Sequence, residues 1–493
     1  MKKVNLPILF RGLFGGLLCG TATALYFYNG VWSGVHAFFT TDDLANLMDS
    51  QRHSVSSLLQ ACAMYFSPAY RPLGGLFYHV FYARFGFHPY PFRLACLVFL
   101  AVDLAVAWRF TAVVTRSIGI AAVSTLLIAF HPRLAALYWS TGTVYDILCF
   151  GFYYAALGIY CGIRLRGRFP NVLESLLLLV LLAAALDAKE VAVALPLLAL
   201  LFEFVFDPPE WRLLRNWASW IARNARIPLA GAVLTIPYLI GKLQPASVLS
   251  QFDRYRPHIG LRSFLFTYGA YLDQLLYRDH WFSESRTAGL LLILLVVAAA
   301  VRSRVLVFAW MLAIVGALPI AFIPPRDASA FYVPLLGWSL YAATIASTAG
   351  ELVFRHLPSR TAAFQELAVF AVVLALLLRV HRIQRQRMDG PEILDQHRIR
   401  DVAAELDRRG AKFASGARVL SVGDPFSGSG GSRNELRLLL ELYSGDPNLQ
   451  LDHAASTDCL HAVTLRWNGT ELAGFQSQPR AGTAPAGECS ASR

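Results

Sequence analysis

The sequence predicts an all-α polytopic membrane protein of about eleven transmembrane helices, followed by a small soluble α/β domain. Three observations predict it. The 493 residues are 56% hydrophobic and only 15% charged, with a positive mean hydropathy, a balance too apolar for a soluble chain of this length. Apolar runs of roughly 20 residues recur between short charged clusters, the length a helix needs to cross a hydrocarbon core of ~30 Å with its own backbone amides satisfied. Beyond about Val380 the long runs stop, and short apolar segments alternate with turn residues.

Taken in order, Lys2, Lys3 and Arg11 precede an apolar stretch that resembles a signal peptide, but no A-x-A cleavage pattern follows cleanly and it reads as an uncleaved first span. The spans fall near residues 9–30, 91–112, 118–137, 144–163, 172–187, 190–206, 227–243, 287–301, 305–323, 331–349 and 362–380. Lys and Arg are more than twice as dense in the loops on the N-terminal side as in the opposite loops, which puts the N-terminus in the cytoplasm. The expected organisation is a transmembrane domain over 1–380 with long outward loops at 31–90 and 243–286, a soluble α/β domain over 381–475, and a disordered tail over 476–493. An odd number of spans puts the C-terminal domain outside, although the cluster Arg379, Arg382, Arg385 and Arg387 is cationic for that face. Leu73 to Phe85 suits a helix lying in the interface. The C-terminal domain reads as a strand at 417–422, a turn GDPFSGSGG, a helix at 434–443, and strands near 449–452 and 462–467.

Several function classes are excluded. The formal charge of +12 is carried by arginines in inter-span clusters and reads as topology rather than nucleic-acid binding. Cys19, Cys62, Cys96, Cys149 and Cys161 lie in or beside the apolar part without CxxC or His-rich spacing, while Cys459 and Cys489 in the hydrophilic tail either pair in an oxidising compartment or stay free. The glycine run after Val422 lacks the Lys of a phosphate loop, and Asn468-Gly469-Thr470 is a glycosylation sequon short enough to arise by chance.

Thr40-Thr41-Asp42-Asp43 opens the first outward loop. The pair has two readings: Thr41 or Asp42 caps a helix starting at Leu44, or one carboxylate removes a proton from an acceptor hydroxyl while its neighbour fixes geometry. Arg71 sits between Pro68 and Pro72, suited either to bidentate phosphate binding or to lipid headgroups. His131-Pro132 ends the third expected span, and Asp146 lies at the outer start of the fourth, where an ionisable group is either functional or paired with an arginine. Lys189 and Glu190 form a charged hairpin at the same membrane level as Asp42 and Asp146. Arg326, in Pro324-Pro325-Arg326-Asp327, is a second candidate phosphate ligand.

In their order, these motifs resemble the GT-C superfamily of integral-membrane glycosyltransferases, and within it the membrane half of the transmembrane TPR-containing O-mannosyltransferases and their bacterial relatives. The resemblance covers roughly residues 1–340. It is carried by Asp42-Asp43, the YRPL of Tyr70 to Leu73, Gly86 to Pro89, His131-Pro132, Trp139, Gly142 and Asp146, Lys189-Glu190, and Tyr332-x-Pro334-x-x-Gly337. It departs from the animal family in a tail without a 34-residue TPR period and in a cation-poor loop around Ser329, which leaves sugar and acceptor open.

The resemblance implies transfer of a sugar from a polyprenyl-phosphate donor to a hydroxyl acceptor on the outer face, with inversion. Asp42 and Asp43 are the implied catalytic residues. Arg71, Tyr70, Lys189, Glu190, Asp146, His131, Arg326 and Tyr332 are the implied donor-phosphate or substrate-binding set. No cofactor is firmly implied, and a divalent metal is compatible with the motifs. The expected partners are the lipid-linked donor, an unidentified acceptor and membrane lipids, with no nucleic acid; the expected location is the bacterial cytoplasmic membrane, with the C-terminal domain periplasmic. The rival readings are a non-catalytic lipid-linked saccharide transporter or assembly subunit, and a glycan polymerase or ligase. A transporter would set its binding groups near the midplane, whereas these ionisable residues gather at one face.

Overall fold

Apolar runs become helices here, but proline and capping residues cut them shorter than apolarity alone suggests. The computed structural model describes residues 6–64, 71–209, 214–244, 255–354, 362–386, 391–426, 435–453 and 461–477. The N-terminal part carries α1 (Leu6–Val31), α2 (Thr41–Gln51), α3 (Val55–Ala63), α4 (Pro72–Phe85), α5 (Pro89–Thr115), α6 (Ile118–Ala129), the single turn α7 (Ala136–Trp139), α8 (Val144–Arg164), α9 (Val172–Ala188) and α10 (Leu195–Phe206). There follow α11 (Leu214–Asn224), α12 (Arg226–Lys242), α13 (Leu261–Leu275), α14 (Glu284–Ala300), α15 (Arg304–Val315), the short α16 (Leu318–Ala321), α17 (Tyr332–Phe354) and α18 (Ala362–Arg385). The C-terminal unit is α19 (Pro391–Arg408), β1 (Arg418–Val422), α20 (Glu435–Ser444), β2 (Gln450–Asp452), β3 (Val463–Asn468) and β4 (Glu471–Ser477).

The chain is an integral membrane protein, but the expected count of eleven spans needs correction. Among the described residues three helices are long and apolar enough to cross a membrane, over Pro89–Thr115, Thr141–Arg164 and Ala328–Val353. Several of the other apolar runs are interrupted. Pro132 holds His131 in extended backbone and stops α6 at Ala129. Lys189 is also extended, and a 3₁₀ turn over Glu190–Ala194 delays α10 to Leu195. Gly316 and Pro319 separate α15 from α16. A 12-residue helix such as α6 or α15 rises about 18 Å, short of a full crossing.

The Ala328–Val353 segment is the most buried of the three and sits at the centre of the bundle. Gly337 lets it pack tightly, because a Cβ there would fall 2.4 Å from the Ala313 backbone nitrogen on α15.

In the C-terminal unit the strand order is β2-β1-β3-β4, with β1 parallel to β2 and β3, and β4 antiparallel to β3. Neither α19 nor β4 is among the elements expected from sequence. The supposed sequon is the hairpin turn itself: Asn468 pairs with Glu471, and Gly469 takes φ +59° at the first turn position. Strand β4 therefore runs past the expected boundary at 475, and residues 478–493 of the expected disordered tail lie outside the described residues.

This unit docks on the side of the acidic loop. Tyr82 on α4 donates to the Leu442 carbonyl at 2.8 Å, and Gln396 on α19 donates to the Trp139 carbonyl at 2.7 Å. Arg385, ending α18, reaches the Asn29 carbonyl and Ser33 Oγ just where α1 ends. The last turn of α18 and the C-terminal unit thus lie on the same side as the segment around residues 31–90.

Candidate active site

The acidic pair divides into two different environments at the first turn of α2. Thr40, one residue before Thr41 and two before Asp42, the expected caps, is the N-cap: its Oγ1 accepts from Asp43 N at 3.2 Å, and the Asp43 carboxylate accepts from Thr40 N at 2.8 Å, a reciprocal capping box. Asp43 is fully buried. Its Oδ2 also accepts from Arg93 at 3.0 Å, and its Oδ1 accepts from Ser140 Oγ at 3.0 Å and Gly142 N at 2.6 Å. Four donors leave it little capacity for anything else. Asp42, the next residue round the helix, is exposed and makes no hydrogen bond or ion pair among the described residues.

Two ion pairs stand across from it. Arg71 is the N-cap of α4, held at φ +48° directly before Pro72, a left-handed conformation that costs a non-glycine residue about 1–3 kcal/mol. Its guanidinium is fixed by Glu190, with Nε to Oε2 at 3.2 Å and Nη2 to Oε2 at 2.9 Å, and lies 5.2 Å from the Tyr145 ring centroid. Gly74 makes room for that ring, since a Cβ there would fall 2.0 Å from Tyr145 Cε1. Burial would raise the Glu190 carboxyl, which sits in the connection between α9 and α10, but the adjacent Arg71 holds it down to about 2. Lys189 pairs with Asp146, both buried.

These groups line one cavity of about 1060 Å³. Asp42, Arg71, Asp146, Lys189, Glu190 and Arg326 all contribute to its wall, so residues far apart in sequence share one space. Sequence reasoning missed four others in it. Lys242, buried at the C-terminal end of α12, where the helix dipole favours a cation, had a signal in being the lone charge ending an apolar run. Asn46 accepts from Tyr145 Oη at 3.0 Å, and Arg256 adds a further cation. Asp395, from α19, had no signal; its Oδ2 accepts from Thr41 N at 3.1 Å and Thr41 Oγ1 at 2.8 Å, tying the C-terminal unit to the turn that carries Asp42. Leu239, Leu243, Ile259, Leu318, Ile320 and Phe322 form an apolar side.

Three expected site residues do not line this cavity, and one cannot be placed. Asp43 is the buried cap described above. His131 has both ring nitrogens engaged, Nε2 with the Leu275 carbonyl at 3.0 Å and Nδ1 with Arg133 N at 3.2 Å, and stacks on Tyr277 at 4.9 Å. Tyr332 is buried at the start of α17 with its ring 4.4 Å from Phe150. Both belong to the packing between helices. Tyr70 lies outside the described residues. Among the described residues no group of three or more His, Cys, Asp or Glu side chains is arranged to hold a metal ion.

The fold and cavity define a helical integral membrane protein with a charged chamber at one end of its bundle. Among solved structures it is similar to the crystal structure of ArnT from Cupriavidus metallidurans bound to undecaprenyl phosphate, at 14% identity over 89% of this chain and 86% of that one, with a TM-score of 0.46. No family model and no curated protein matches the chain.

Proposed function

We propose that this protein is a GT-C-type glycosyltransferase that moves a sugar from a polyprenyl-phosphate-linked donor to a hydroxyl acceptor on the outer face of the membrane. The supporting observation is the single cavity that combines an unpaired carboxylate, Asp42, with the cations Arg71, Lys189, Lys242 and Arg326 and an apolar side. Each part meets a need of that reaction.

In the proposed step the acceptor oxygen bonds to the anomeric carbon as the bond from that carbon to the phosphate oxygen breaks. The electron pair leaves with the polyprenyl phosphate, and Asp42 takes the acceptor's proton. Positive charge develops on the sugar and negative charge on the departing phosphate, so a carboxylate on one side and guanidinium and ammonium groups on the other both stabilise the transition state. Glu190 and Asp146 hold Arg71 and Lys189 in fixed directions, which avoids reorganisation during the reaction. The apolar side receives the first prenyl units. Asp43 acts as a positioning residue that fixes the turn presenting Asp42.

The test is a transfer assay with purified protein and a panel of polyprenyl-phosphate sugars. Wild type should transfer from at least one donor, and Asp42→Asn should lower the rate about 10²–10⁴-fold with unchanged thermal unfolding. Undiminished transfer by Asp42→Asn removes the base assignment. Absence of transfer by wild type from every donor favours the non-catalytic saccharide transporter.

A further inference from the structure

A second charged cleft lies away from the cavity, between the ends of α1 and α18. Tyr26, Asn29, Phe130, Arg379, Arg382 and Arg385 are among the residues that enclose about 880 Å³. Its floor is ordered: the Tyr26 hydroxyl pairs with the buried His381 ring, and Phe130 packs against both rings. Arg385 is anchored by the Asn29 carbonyl at 3.3 Å and Ser33 Oγ at 2.8 Å, with its guanidinium 6.0 Å from the Phe130 ring centroid. Arg379 and Arg382 are exposed and make no hydrogen bond or ion pair among the described residues, and no carboxylate lines the cleft.

The charge is in an unfavourable place for topology alone. The topology expected from the sequence puts this face outside, where cations are depleted, yet three arginines fall within one short stretch of α18. The same helix exposes Val372, Leu376, Leu378 and Ile383, an apolar surface suited to lipid chains. A cationic pocket at the end of a helix with an exposed apolar face matches a phosphate with acyl chains attached, and guanidinium forks match phosphate oxygens in pairs.

We propose that this cleft binds the headgroup phosphate of an anionic membrane lipid, with Arg379 and Arg382 on the phosphate and Arg385 holding α18 against α1. The site is separate from the transfer cavity and does not depend on its assignment. The experiment titrates purified protein in detergent with phosphatidylglycerol, phosphatidylcholine or inorganic phosphate, counting bound lipid by native mass spectrometry and following thermal unfolding. Saturable binding and stabilisation by phosphatidylglycerol, but not by phosphatidylcholine, is expected. Arg379→Gln with Arg382→Gln should weaken it roughly tenfold, while Arg109→Gln, an exposed arginine on α5, leaves it unchanged. Equal binding of the two lipids, or unchanged affinity in the double variant, overturns the proposal. So does displacement of the lipid by inorganic phosphate at equal concentration, which would make this a soluble-anion site. If the glutamine pair alters elution on size exclusion, Arg379→Lys with Arg382→Lys carries the test: binding weakened by loss of the paired guanidinium contacts supports the site, and unchanged binding overturns it.

Discussion

The two ends of α8 each hold a buried carboxylate against a cation, and only one of them lines the large cavity. At the N-terminal end Asp146 pairs with Lys189 on the wall of the large cavity. At the other end, about 30 Å away along a 21-residue helix, Arg164 pairs with Glu203 through Nε at 2.7 Å and Nη2 at 2.9 Å. There Tyr160 also donates to Glu203 at 2.7 Å, Asn224 Oδ1 accepts from Arg164 at 3.1 Å, and the Phe169 ring covers the guanidinium at 4.0 Å. Every polar group of the Arg164 cluster is spent on another. Burial and ion pairing are therefore common to both ends, and neither marks a site. What distinguishes the cavity end is volume together with a carboxylate, Asp42, that the chain leaves unpaired.

The two ends should differ most in activity. Replacing Arg71→Met together with Glu190→Leu should keep the fold but cut transfer about 10²–10³-fold, because cations beside the departing phosphate are lost. Arg164→Met with Glu203→Leu should leave the transfer rate per folded molecule unchanged. Equal losses from the two double variants would mean that both ends are structural.

Stability separates them next. Glu203→Gln alone removes the buried partner of the Arg164 guanidinium, which keeps the exposed Asp207 at 3.7 Å, and should cost about 1.5–3 kcal/mol in unfolding measurements, more than the double replacement, since swapping a whole pair for apolar groups is close to neutral. A single change no worse than the double would show that the Arg164 cluster is more solvated than its packing indicates.

A smaller effect sharpens the cavity end. Asp395→Ala removes two acceptor contacts to Thr41 and should raise amide exchange in the first turn of α2 about tenfold, ~1.4 kcal/mol, with kcat falling more than KM changes. Unaltered exchange there would mean that the C-terminal unit does not steady the acidic turn.

The smallest effect lies in the C-terminal unit, at the turn after α20. Asp446 accepts from Gly416 N at 2.6 Å and Asn448 N at 2.9 Å, and these bonds hold its carboxyl below the usual carboxylate range. A depressed folded-state value contributes stability above the unfolded-state value, about 3.9, and loses it as pH falls through the folded one. Hydrogen exchange in β1 and its neighbours should thus be faster in Asp446→Asn than in wild type at pH 7, with the difference vanishing in acid.

Much of the cavity was legible as a set of residues and not as a set of roles. Asp42, Arg71, Asp146, Lys189, Glu190 and Arg326 each stood out as charge beside an apolar run, because a membrane makes such charge expensive. His131 and Tyr332 were drawn in by the order of motifs that carries the resemblance, yet their side chains are turned into helix packing, which no local pattern records. The helix ends were less legible. The helix starts at Thr41 under a Thr40 cap rather than at Leu44 under Thr41 or Asp42, which places Asp43 inside the buried cap and leaves Asp42 in the open.

Composition and run length determined by themselves that the chain is a helical membrane protein with a separate polar end, because the cost of unsatisfied backbone and charge in hydrocarbon leaves few alternatives. The tertiary structure decided which helices are long enough to cross, how Asp42 and Asp43 divide, and that Asp395 reaches the cavity from more than 300 residues away. Those depend on where each side chain meets distant partners, and hydropathy along the chain carries no record of such meetings.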